Sequence, residues 1–453
     1  MDNDIKKSLE LEKHRRHDHF EIAEGSNNMV LEQLGLESQM KKDIGPFAIL
    51  CVGFNICNSW VGLAATMVIG MEQGGSITVI YGMIVVLVCL GCSALTMAEL
   101  SSVYPTAGGP YHWTSILAPS KVNGFMSYTC AVLNIFGWLS ITSGVVIQPG
   151  QFIEAMRIFF HPEVEPSAWQ YFLFFQAVNI VALVHNNFLQ RRIHWVHDVG
   201  FIFSLTSFAV ITITCLSRTS SYNSNDFVWK TFINKTGWNS DAVVFLTGMA
   251  NPNFMFAGID GAVHLAEEVT DAAKTVPRAL MSTIAIGFTT AFAFPLAMLY
   301  SLDDFDKVLE NATGRCPDLR NLVPVWALVA NSAVIFIIGC IYLGSTSAFN
   351  AFIGSGLLLQ QCSFAMPAGL LLWHRRAEKV LPESRPFKLG ALGWVANLVT
   401  LLFAPLITIM YCFPVELPVA AGTMMVGVMA MFAAVNWFLY GRKHYKGPRL
   451  PAM

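Results

Sequence analysis

The sequence predicts an all-α integral membrane protein that crosses the bilayer about eleven times. Three observations carry this expectation. Charged residues make up only 13% of the chain, about half the usual globular share. Apolar residues make up 54%. The apolar residues also gather in long runs, and about 20 in succession are enough for a helix to span a hydrocarbon core. Charge is unevenly spread: residues 1–45 hold 7 basic and 10 acidic side chains, which leaves 41 charges for the remaining 408 residues. So few charges cannot clothe a soluble surface, which excludes an ordinary cytosolic enzyme. Strand-like alternation is absent, so helices rather than a closed barrel must satisfy the backbone inside lipid. A net charge of −2 with no basic stripe excludes nucleic acid as a partner and leaves the lipid bilayer as the surrounding medium.

In chain order, residues 1–45 read as a polar cytoplasmic tail with a short helix near 29–41. No apolar core of a cleavable leader appears in it. Crossings are expected at 46–70, 75–98, 123–148, 168–188, 195–216, 241–261, 279–301, 323–343, 347–373, 391–413 and 417–440. Residues 46–440 thus form one transmembrane domain, and 441–453 a second cytoplasmic tail. Orientation follows from Lys and Arg. Lys41 and Lys42 precede the first span, and Lys121, Arg191, Arg192, Lys274 and Arg278 fall in loops on the same side. The intervening loops at 71–74 and 159–167 carry no basic residue. The sequons Asn234-Lys235-Thr236 and Asn311-Ala312-Thr313 fall on the opposite side, as glycosylation candidates should. A multi-pass protein of the plasma membrane with its N-terminus in the cytoplasm is expected.

Beyond the seventh span the charge count fails. Eleven crossings would leave Arg375, Arg376, Lys379, Arg385 and Lys388 outside, together with Arg442, Lys443, Lys446 and Arg449 of the tail. One further crossing between 302 and 322 would bring all nine inside, but Asp303 to Leu322 is too polar to provide it. The sequence reads as one helix short.

Ionisable residues inside spans are costly and mark function by default. Asp260 is such a residue, in Asn251-Pro252-Asn253-Phe254-Met255-Phe256-Ala257-Gly258-Ile259-Asp260-Gly261, where helix breakers adjoin an acid and two aromatics. A broken helix exposes amides and carbonyls that bind ligand groups where they line a cavity. The first span offers a second break at Asn55-Ile56-Cys57-Asn58-Ser59-Trp60, flanked by Gly53 and Gly62. Solvation of Asp260 at the interface and plain interhelical packing are the competing readings of these two stretches. Nine of ten cysteines lie inside apolar runs and read as small buried hydrophobes; Cys316 alone sits in a loop. Cys89 and Cys92 form a CxxC with no second ligand pair, so no metal is expected. His197-Asp198 is a conceivable proton relay, although histidines at an interface are more often structural. No converging nucleophile and base supports a membrane enzyme.

The run Ala98-Glu99-Leu100-Ser101-Ser102, Pro105, Gly108-Gly109-Pro110-Tyr111 and Trp113, together with Glu267-Glu268 and Val276-Pro277-Arg278-Ala279, resembles the amino acid–polyamine–organocation (APC) transporter superfamily. Within it, Asp260-Gly261-Ala262-Val263-His264-Leu265-Ala266-Glu267-Glu268 and Val323-Pro324-Val325-Trp326-Ala327 are similar to fungal choline and GABA permeases. The resemblance covers residues 40–445. It implies a LeuT-like fold of two inverted five-helix repeats plus two peripheral helices, with a midplane site between the broken first and sixth helices. Carried over by position, substrate would meet Asn55, Cys57, Asn58, Ser59, Trp60, Phe254, Phe256, Ala257, Gly258 and Asp260. Glu99, Glu267, Glu268 and Arg278 are the gating or coupling candidates. The family has twelve helices, and the eighth would lie between Asp318 and Pro324, where only a few residues remain. The function implied is secondary transport of an amino acid, GABA, choline or a related small amine by alternating access. No cofactor is expected, and proton coupling is plausible by family. The competing expectation is a non-transporting sensor or a shortened product that lacks one helix.

Overall fold

The computed structural model describes residues 44–161, 167–189, 195–219, 221–302, 325–344, 346–413 and 431–445. The N-terminal tail, the expected gap between Asp318 and Pro324, Asn311, Cys316, Arg191, Arg192, His194 and most of the last span lie outside these residues. The described chain is almost wholly helical and forms no strand. Two isolated bridges pair Ile44 with Val269 and Gln73 with Asn234. Eight helical stretches are long and apolar enough, by length and composition, to cross a membrane. Two further apolar helices, Ala168–Val184 and Val325–Gly344, lie between them.

The first crossing is split into α1 (Pro46–Cys57) and α2 (Ser59–Ala65). Pro46 opens α1 where its missing N–H costs nothing. Asn58 ends it with φ 33° and ψ 59°, a left-handed conformation that Asn tolerates better than most residues. Next come α3 (Gly75–Val103), a short connecting helix α4 (Pro110–Leu117) and α5 (Asn123–Phe160). α5 is 38 residues long and passes through Pro149, so it overruns the expected end at 148. It is followed by α6 (Ala168–Val184) and α7 (Val196–Arg218).

The sixth crossing is interrupted as well. It runs as α8 (Asp241–Gly248), α9 (Ala250–Asn253) and two 3₁₀ segments, Phe254–Phe256 and Ile259–Glu268. After it come α10 (Ala272–Ser301), α11 (Val325–Gly344), α12 (Thr346–Trp373) and α13 (Leu392–Tyr411). α10 starts seven residues before its expected beginning at 279, because Thr275 Oγ1 donates to Thr270 O and secures the first turn.

A seam of small residues joins α5 to α12. A methyl added at Gly356 would lie 2.8 Å from Ser140 Cβ and 3.0 Å from Gly137 O. One added at Gly137 would lie 2.9 Å from Gln360 Cγ. Lipid offers no hydrophobic drive between helices, so such close backbone approach is a main source of association. Here it sets the height of Gln360 and Ser363 against Asn134.

Helix directions decide which loops share a face. Tyr171 meets Tyr342 and Phe172 meets Phe336, with ring centroids 5.9 and 6.1 Å apart, and Gln176 Nε2 donates to Phe336 O. α11 therefore runs antiparallel to α6 and begins where α6 finishes. α10 ends on the other face, beside the 217–240 loop, where Asn223 Nδ2 donates to the carbonyls of Leu299 and Leu302. The described helices on either side of residues 303–324 thus end and begin on opposite faces.

The described basic residues of the second half group accordingly. The 374–390 loop packs against the end of α3, where Tyr104 Oη donates to Val380 O, and His374 Nε2 lies 2.7 Å from Leu117 O. Tyr445 reaches Ser127 at the start of α5. Arg375, Arg376, Lys379, Arg385, Lys388, Arg442 and Lys443 all come to the face of Lys121, called the basic face below.

Replacing Gly356 with Val should wedge α12 from α5 and cost roughly 1–3 kcal/mol. A lower melting temperature in detergent would show it. Gly354→Ala is the control, since nothing lies within 4 Å of a methyl at Gly354.

Candidate functional site

The two interruptions lie side by side. A methyl at Gly62 on α2 would stand 2.9 Å from Phe254 O, and one at Gly258 3.0 Å from Ile56 Cγ2. Local sequence explains the sixth-crossing break. Pro252 supplies no N–H, and Gly258 takes φ 76°, open to glycine at no steric cost. Side chains tie the freed backbone to neighbouring helices. Asn251 Nδ2 donates to Leu63 O at 2.9 Å and Thr66 Oγ1 at 2.7 Å. Asn253 Nδ2 donates to Tyr411 Oη at 3.0 Å.

Asp260 is wholly buried at the centre of this arrangement. Its Oδ2 accepts from Asn134 Nδ2 (2.9 Å) and Trp138 Nε1 (3.3 Å) and lies 3.1 Å from His264 Nε2. Its Oδ1 accepts a longer bond from Gln360 Nε2 at 3.4 Å. The same Gln360 amide accepts from Gly258 N at 3.1 Å, so it caps the break and the acid together. A charge in the interior survives only when hydrogen-bonded in this way.

The other positions expected at the site are placed as follows. Phe256 and Ala257 are buried at the break, Phe254 is half-buried, and Cys57 is buried where α1 ends. Ser59 is buried and packs on Gly287. Asn58 Oδ1 accepts from Ser204 Oγ on α7 at 2.8 Å, and Trp60 Nε1 donates to the same Ser204 at 3.0 Å. The Trp60 ring packs between Phe208 and Phe294, and Asn55 Nδ2 donates to His197 O. The polar groups of Asn55, Asn58 and Trp60 therefore join the first crossing to α7.

The basic-face end is closed by a second polar layer. Ala107 N donates to Glu267 Oε1 at 3.0 Å, and His264 Nδ1 lies 2.7 Å from Ala107 O. Ile44 N donates to Glu268 O and Thr270 N to Ile44 O, which stitches the start of α1 to the end of the sixth crossing. Arg278 is exposed. Glu99 is fully buried: it binds Arg376, receives two bonds from Arg385 at 3.1 and 3.0 Å, and accepts from Leu389 N. At the opposite face Asn234 is exposed, its Oδ1 accepting from Thr236 N and Oγ1. Among the described residues no group of His, Cys, Asp and Glu could hold a metal ion.

Asn134, Trp138, His264, Gln360 and Ser204 take part without having been singled out from sequence. A search for ionisable residues alone passes over amides, although Asn134 and Gln360 stand in mid-span and each would be costly there without a partner.

Residues 44–331 match the family profile described as amino acid permease. The chain belongs to that family. This amino acid permease is 29% identical to the choline transporter of Saccharomyces cerevisiae, over 90% of this chain and 83% of the relative. It is 22% identical to the amino-acid permease BAT1 of Arabidopsis thaliana, over 93% of this chain and 96% of the relative. The crystal structure of the Eremococcus coleocola manganese transporter superposes with TM-score 0.46 and 12% identity, covering 89% of this chain and 94% of its own. The alignment with the choline transporter runs over 474 residues while covering 90% of this shorter chain, so that relative holds segments with no counterpart here. The permease is a multi-pass membrane protein and a secondary transporter of a small substrate.

Two outcomes follow for the basic face. Glu99→Ala would strand Arg376 and Arg385 without their buried partner, a loss of about 3–5 kcal/mol read by thermal melting. Burial pushes His112 on α4 down to about 4, and its Nε2 has no partner. The unfolded chain then binds the proton first, so stability present above pH ~6.5 is lost as pH falls toward 4, by about 3 kcal/mol in all. His112→Phe should flatten that dependence in melting curves taken across pH.

Proposed function

We propose that this permease carries a small organic cation, an amine or quaternary ammonium of the choline type, by alternating access about the two breaks. The observation that supports it is Asp260, a buried carboxylate set at the sixth-crossing break. Oδ2 takes three contacts and Oδ1 only the long one from Gln360, so Oδ1 is the edge left to face a cation, by hydrogen bond for an amine and by charge alone for a quaternary ammonium. Trp138 stands against Gly258 and Gly261, and Phe254 and Phe256 flank the same turn, which gives the aromatic faces a cation favours. The Gly258 N–H, an amide suited to a substrate carboxylate, is already engaged by Gln360 Oε1. A zwitterionic amino acid would have to displace that amide. The choline-transporter relative fits the same chemistry. Residence in the plasma membrane, with the basic face toward the cytoplasm, accords with the positive-inside rule.

Purified full-length protein in proteoliposomes tests this with choline, GABA and neutral amino acids as probes. Choline exchange is expected from the wild type, and Asp260→Asn should lower it about 30-fold, the cost of roughly 2 kcal/mol for a lost charge partner. No exchange of any probe by folded wild-type protein would remove the transport reading. Undiminished choline exchange by Asp260→Asn would remove the cation assignment.

A further inference from the structure

Resting on the transport reading above, we propose that His264 and Asp260 together hold the proton that couples transport. The same imidazole latches the turn between Tyr104 and Gly109 across the basic-face end of the pathway. The geometry carries this. His264 Nδ1 lies 2.7 Å from Ala107 O, and a backbone carbonyl can only accept, so Nδ1 bears hydrogen. His264 Nε2 lies 3.1 Å from Asp260 Oδ2. Two lone pairs would repel at that distance, so a second hydrogen lies between ring and acid. Whether it sits on nitrogen or oxygen, the pair carries two hydrogens and no net charge.

Loss of one proton to water breaks one N–H or O–H bond and leaves the pair with one hydrogen and a single negative charge. One hydrogen cannot serve both contacts. The negative carboxylate is a stronger acceptor than a backbone carbonyl, so the hydrogen stays on Nε2 toward Asp260; the Nδ1 lone pair then faces the Ala107 carbonyl and the latch opens. A cation beside Asp260 Oδ1 stabilises the negative pair. Cation and proton thus take turns on the pair: substrate arrival expels the proton and frees the turn, and a proton taken up after substrate leaves closes it again, so that proton and substrate move in opposite directions. The ring is the wet member of the pair, with its side chain 28% exposed while that of Asp260 is 0% exposed.

The neighbours leave the pair this role. Asn134 and Trp138 on α5 and Gln360 on α12 are donors that do not titrate near neutrality. Among the described residues, the ionisable groups near Asp260 besides His264 include the buried thiols Cys57 on α1 and Cys130 on α5. On the same 3₁₀ segment Glu267 is engaged by Ala107 N, and Tyr111 of α4 lies near it. Gly109 approaches the ring so closely that a methyl there would lie 3.5 Å from His264 Cε1, so the latch closes on backbone.

The test compares two fluxes in proteoliposomes, using choline or whichever amine the wild type exchanges. One is accumulation driven by an acid-inside pH gradient, and the other is exchange without a gradient. His264→Gln keeps polar contacts at the ring position but cannot take up a proton. Its gradient-driven accumulation should fall at least about five-fold, the lower end of ordinary coupling between two sites, and lose its pH dependence. Exchange, which needs no net proton movement, should fall less. Wild-type accumulation and pH profile in His264→Gln would overturn the proposal. Should that variant fail to fold, a pH electrode on wild-type vesicles decides: acidification of the medium during net substrate uptake supports the pair, and net uptake without it overturns the coupling role. Absence of exchange by the wild type would instead defeat the transport reading itself.

Discussion

A helix interrupted inside a bilayer must find new partners for every backbone group it frees, because lipid offers none. That constraint organises this molecule. Gln360 answers the amide of Gly258, Asn251 answers the carbonyl of Leu63, and Gly62 lets the first crossing come close to the carbonyl of Phe254. Asn251 and Gly62 fit the two interrupted crossings to each other, and Gln360 ties the sixth to α12. The small-residue seam between α5 and α12 belongs to the same logic. Without Gly137 and Gly356 the amide of Gln360 could not stand at the level of the break.

Electrostatics then divides the molecule by depth. At the break Asp260 is held by the amides of Asn134 and Gln360, the indole of Trp138 and the imidazole of His264. Toward the basic face another carboxylate, Glu99, meets two guanidinium groups and a backbone amide and is fully compensated. Asp260 thus keeps one oxygen only lightly engaged, while Glu99 fastens the 374–390 loop to the end of α3. Two acids of the same type take opposite roles because one faces amides and the other faces arginines.

Much of this was legible in the sequence. Low charge and long apolar runs gave the helical membrane class, and the breaker residues located both interruptions to within a residue or two. The charge count also showed that the second half of the chain could not be placed by simple alternation, and the opposite-facing ends of α10 and α11 agree with it. Side-chain direction was not legible. Asn55, Asn58 and Trp60 stand in the first break, yet their polar groups serve contacts with α7, since direction depends on which helix packs alongside. Of the partners of Asp260, His264 stands four residues on, but Asn134, Trp138 and Gln360 come from 100 to 126 positions away in sequence, a pairing that local pattern does not encode.

The stitch between Ile44 and residues 268–270 has a mechanical meaning. It joins the two interrupted crossings at one end by backbone bonds, where a change of side chain cannot loosen them. A rearrangement that keeps those two bonds must carry the start of α1 and the end of the sixth crossing together.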